Sequence, residues 1–109
     1  MAYNIDLEAR IDKLITRLGD ITKKRMFGGL GYLMNGNMCF GVYQEYLILR
    51  TSPERTAELL RGDDTKPFDI TGRPMKGWVM VSPDAVETED RLLAMLQIGV
   101  SYAATLPAK

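Results

Sequence analysis

The sequence predicts a single two-layer α+β domain: an antiparallel sheet of about four to five strands with helices packed on it. Three observations carry this expectation. Two tight reversals, at Asn35-Gly36 and Gln44-Glu45, join runs of strand-forming residues, which is the grammar of an antiparallel meander. Helical periodicity is confined to the two ends and one short middle segment, so no β-α-β alternation is present to build a parallel sheet. Finally, 109 residues with 46% hydrophobic and 26% charged side chains suit one ordinary globular domain spanning residues 1–109.

The elements follow in the order α-β(three or four)-α-β-α. Leu7, Ile11, Leu14, Ile15 and Leu18 share one helical face, with Asn4 or Asp6 as cap and Gly19 as the stop. Strands are then expected around Lys23–Phe27, Leu30–Met34, Asn37–Val42 and Tyr46–Arg50. Asn35-Gly36 suits a type I′ turn because both central residues need positive φ. Ser52-Pro53-Glu54 combines a hydroxyl cap, a first-turn proline and an acid at the positive end of a helix dipole. That helix is short, because Gly62 and Asp63-Asp64 end it. Lys66 to Pro74 reads as an extended, turn-rich passage, and Trp78–Val81 as the last strand. Ser82-Pro83-Asp84 repeats the cap signal, and Thr88-Glu89-Asp90 offers a better-placed start for a closing helix. Leu92, Leu93, Leu96, Val100, Ala103 and Leu106 form its apolar stripe. Gly99 weakens that helix by about 1 kcal/mol relative to alanine, and suits close packing against a neighbour.

Composition excludes several chemistries. There is no histidine and one cysteine, which removes Ser-His-Asp and Cys-His catalysis, histidine-ligated zinc and disulfides within the chain. Fourteen basic residues balance fourteen acidic ones, unlike the basic excess of a dedicated duplex-DNA binder. No apolar run approaches the roughly 20 residues of a membrane helix, and the N-terminal residues lack a leader pattern. A cytoplasmic location and no membrane association are expected, in keeping with a lone Cys39.

Gly28-Gly29-Leu30-Gly31 invites a phosphate-loop reading, but strand-like Tyr32-Leu33-Met34 follows where a helix is required. The glycines are therefore read as a bulge or bend between strands. Cys39, between Met38 and Phe40, reads as a buried thiol. Asp63-Asp64 and the Glu87, Glu89, Asp90 group read as solvated charge, the latter favourable at a helix start. The one charge asymmetry is Lys23-Lys24-Arg25, which Arg73 and Lys76 can join if the sheet brings their segments together. These five residues are the candidate contacts for a partner or nucleic acid, although strand alternation puts at most two of the three consecutive cations on one face. Guarding an exposed sheet edge explains them equally well. Seven methionines point to core filling, and also suit a dimer interface.

The run Lys24-Arg25-Met26-Phe27-Gly28-Gly29 resembles the TfoX/Sxy family N-terminal domain, a family associated with regulation of bacterial competence. The resemblance continues through Gly36 to Gly41 (with Phe40), Tyr46 to Arg50, Lys66-Pro67-Phe68, Arg73-Pro74-Met75 and the leucine-rich final helix. It implies a fold similar to secretion-chaperone-like domains and no established enzymatic activity. It also marks Met26, Phe27, Gly28, Gly29, Phe40, Gly41, Pro67, Phe68, Pro74 and Met75 as structural motif positions. The sequence departs from the family where an expected aromatic of the last helix is replaced near Ile98-Gly99. The expectation is thus a non-catalytic regulatory module, homodimeric, without cofactor or metal, acting on a protein partner. Nucleic-acid contact through the basic run, or a small-molecule sensor with a pocket between sheet and helices, are the alternatives.

Overall fold

The computed structural model describes residues 3–26, 28–68 and 76–108. Their fold follows the expected order with more strands than expected: α1 (Ile5–Leu14), β1 (Thr22–Met26), β2 (Gly29–Met34), β3 (Asn37–Tyr43), β4 (Tyr46–Arg50), α2 (Pro53–Leu59), β5 (Thr65–Pro67), β6 (Trp78–Val81) and α3 (Glu89–Ala103). The six strands form one antiparallel sheet in the order β1-β2-β3-β4-β6-β5. The additional strand is β5, which the sequence reads as irregular. Three residues ending in proline carry no strand signal of their own, and it is the pairing of Thr65, Lys66 and Pro67 with Val81, Met80 and Val79 that makes them an edge strand.

The local signals act where they were read. The Asn4 side chain accepts from the Leu7 amide at 3.0 Å, Ser52 from Arg55 at 3.2 Å and Thr88 from Arg91 at 3.2 Å, so each helix starts on a side-chain cap. Pro83–Val86 forms a 3-10 turn, and α3 begins only after it. The first helix is shorter than its apolar stripe: Ile15–Arg17 tightens into a 3-10 turn before Gly19 at φ +119°. Asn35 and Gly36 both have positive φ, 54° and 82°. Gln44 takes φ 54° in the β3–β4 reversal, where its carbonyl accepts from the Asn4 amide and anchors the start of α1.

One face of the sheet carries Leu30, Tyr32, Phe40, Val42, Leu47, Leu49, Val79 and Val81, and meets Leu7, Ile11 and Leu14 of α1 and Leu92, Leu96 and Ala103 of α3. A β-bulge shifts the β2–β3 register between Tyr32 and Leu33, so that Cys39 joins Phe40 on this same face. There α3 crosses at Gly99, where a methyl group would overlap the Cys39 carbonyl oxygen. The opposite face holds Met38, Ile48, Phe68 and Met80, all buried, with Met26, Leu33, Tyr43, Tyr46 and Trp78 around them and, among the described residues, none from a helix. Phe68, leaving β5, folds over this face with its ring 5.8 Å from Tyr43 and 6.1 Å from Trp78.

Candidate functional site

The basic run of β1 does not form one patch. Lys23 and Tyr32 are paired across β1 and β2 and point toward α1. Lys23 Nζ lies 2.6 Å from Glu8 and 2.9 Å from Asp12, while the Tyr32 hydroxyl donates to Asp12 at 2.9 Å. Those hydrogen bonds to carboxylates hold the Lys23 ammonium above its usual range, and burial with the Asp12 contact raises the Tyr32 phenol well above the ordinary tyrosine value. Lys24, one residue on, takes the opposite face. Arg25 returns to the helix side and is exposed. Lys76 lies at the far side of the sheet, next to Gly77, whose carbonyl accepts from the Thr51 amide at 2.9 Å. Of the five candidate contacts, Arg73 lies outside the described residues.

Cys39 is fully buried, and its thiol donates to the Tyr32 carbonyl at 3.2 Å. Burial pushes its pKa up to about 11, which leaves almost no thiolate at neutral pH. Among the described residues no three Asp, Glu or Cys side chains come together as a metal-binding group. No helix among them is long and apolar enough to cross a membrane.

The open concave surface lies instead between α2 and α3. A cavity of about 470 Å³ is lined by Thr51, Ser52, Arg55, Gln97, Ser101 and Tyr102, with Ala94 and Ile98 as its apolar wall. A second, of about 500 Å³, meets it at Ala94 and includes Glu58, Asp64, Arg91 and Met95. Beyond Tyr102 sits Arg50 at the end of β4. Its guanidinium lies 5.4 Å from the Trp78 ring and 5.7 Å from the Tyr102 ring, with one long hydrogen bond of 3.5 Å to the Met38 carbonyl. A third hollow of about 380 Å³, walled by Pro53, Ala57, Leu60, Pro67 and Trp78, is largely apolar.

Sequence reasoning did not single out the α2–α3 groove. Its signal was present as the stripe Ala94, Gln97, Ile98, Ser101 on α3, spaced to share one face beside the buried stripe. Nothing local says that α2 stands off that face and leaves a groove.

The TfoX N-terminal domain family model matches residues 13–103. The chain belongs to the TfoX N-terminal domain family. No curated protein matches it. The motif positions of this TfoX-like domain take structural places. Gly28 has φ +76° in the β1–β2 connection with nothing close to it, so backbone conformation alone calls for glycine there. Met26 lies over Gly31, its Sδ 2.7 Å from where a β-carbon would sit. Gly41 brings β3 against the Leu30 carbonyl, and Phe40 packs on Tyr32 at 5.1 Å between ring centroids. Pro67 ends β5 and Phe68 covers the second sheet face. Phe27, Pro74 and Met75 lie outside the described residues.

Proposed function

We propose that this TfoX-like domain is a non-catalytic regulatory module of the cytoplasm, working as a homodimer on a protein partner in a pathway related to bacterial competence or transcription. The observation that carries the reading is the family match across residues 13–103. Three features of the structure support it. Its single thiol is shut in the core, and the Glu8, Asp12, Lys23 and Tyr32 side chains engage one another in joining α1 to the sheet. The division of Lys23-Lys24-Arg25 between two faces favours protein contact over a continuous phosphate-tracking strip.

Affinity capture from the native cell lysate, with and without nuclease, tests this. A specific protein retained after nuclease, which loses the domain on substitution of its surface residues, is the expected result. Recovery of nucleic acid, with all associated protein lost after nuclease, overturns it in favour of nucleic-acid contact. Light scattering at tens of micromolar tests the dimer, and a monomer there removes that part of the proposal.

A further inference from the structure

We propose that the cavity formed by Thr51, Ser52 and Arg55 with Gln97, Ser101 and Tyr102 is a binding site for a small hydroxylated oxyanion, a polyol carrying a phosphate ester or a carboxylate. This goes beyond the regulatory reading and stands or falls without it, since it concerns a ligand rather than the protein partner.

Charge selects the class. Among the described residues no acidic side chain lines this cavity, whereas the adjoining one has both Glu58 and Asp64. Arg55 lies at its wall, and Arg50 lies behind the Tyr102 ring. Neither arginine has an ion-pair partner among the described residues, where the ion pairs are those of Lys23. An unpaired guanidinium presents a planar fork of donors matched to phosphate or carboxylate oxygens.

Lining chemistry selects the rest of the ligand. Four hydroxyl side chains and the Gln97 amide surround the cavity, a set suited to hydrogen bonding with a polyol. The Ser52 oxygen already accepts from the Arg55 amide, which leaves its O–H to donate. Ile98 and the Tyr102 ring supply apolar surface for the carbon skeleton. At about 470 Å³ the cavity is within the ordinary range of small-molecule sites.

The test is a ¹H–¹⁵N NMR titration of the whole chain with glucose 6-phosphate, gluconate and uncharged glucose. Expected are shifts at residues 51–55 and 97–102 with one or both anions and none with glucose. A response to glucose 6-phosphate alone assigns a phosphate ester, and one to gluconate alone a carboxylate. Arg55→Gln, on the exposed side of α2, should weaken binding about tenfold, the loss of one charge-assisted hydrogen bond. Arg61→Gln, outside the cavity, should leave it unchanged, and each variant's own spectrum reports that it is folded. Failure of both anions to shift these residues at about 10 mM, an equal response to glucose, or unchanged binding in folded Arg55→Gln overturns the proposal.

Discussion

The two faces of the sheet are buried by different means. On one, helices lie against the strands so closely that Gly99 touches the Cys39 backbone with no room for a methyl group. On the other, no helix residue among those described joins the buried cluster; Phe68 closes over Met38, Ile48 and Met80. There Met26 reaches across Gly31, so a flexible thioether occupies the space that this glycine leaves, whereas Gly41 meets the Leu30 backbone carbonyl as well as the Met38 thioether. Backbone contact makes the first face intolerant of added volume. Side-chain contact makes the second tolerant of added volume at Gly31, though not at Gly41, and dependent on one aromatic ring.

The most severe way to break this contrast is to remove that ring. Phe68→Ala should destabilise the domain by about 3–5 kcal/mol, the usual range for deleting a buried phenylalanine, read as a fall in the urea midpoint. Gly99→Ala comes next. Helix propensity favours alanine by about 1 kcal/mol. Forcing α3 away from the Cys39 carbonyl costs about 1–3 kcal/mol, so the net effect is a destabilisation of up to about 2 kcal/mol, read as a fall in Tm. Tyr32→Phe leaves the ring packed on Phe40 and deletes the hydrogen bond to Asp12, for a loss of about 1 kcal/mol. Gly31→Ala on the second face meets only the movable end of Met26, and a change within about 1 kcal/mol of zero is expected. If Gly31→Ala costs as much as Gly99→Ala, the contrast between backbone-limited and side-chain-limited packing is lost.

Alkaline pH probes the helix-covered face. Cys39 titrates near 11 in the fold against an ordinary value of 9.0, and Tyr32 and Lys23 are also raised above theirs. For each, the folded state holds its proton more tightly than the unfolded chain does. Their contributions are therefore complete below about pH 9, and stability falls as pH rises through 9 to 11 and beyond. Urea midpoints at pH 8 and pH 10.5 measure this, and Cys39→Ala should flatten the early part of the decline. In the same samples a thiol reagent should label Cys39 at pH 8 only after denaturant is added.

How far these features were legible depended on their range. The caps Ser52 and Thr88, Asn4 as one of two candidates with Asp6, and the Asn35-Gly36 turn were readable because each acts within four residues, with no help from the rest of the chain. Gly99 was readable as a site of close approach, though not which strand it meets. β5 was hidden because an edge strand of three residues is defined by its partner. The basic run showed its alternation in advance, but the capture of Lys23 by Glu8 and Asp12 needed α1 laid across β1. The α2–α3 cavity was least visible of all, since Thr51 and Tyr102 are far apart in sequence and neither marks a site alone.

By itself, then, the sequence determined the order of every element but β5, the turn geometry, the buried thiol and the α+β class. These follow from backbone φ preferences, capping hydrogen bonds and hydrophobic period, all short-range properties of a chain. Only the tertiary structure decided that β5 is a strand, that Phe68 covers the second face, and that Arg50 stands between Trp78 and Tyr102 beside an acid-free cavity. Those outcomes depend on which distant segments share space once both faces of the sheet are buried, and no local preference encodes that.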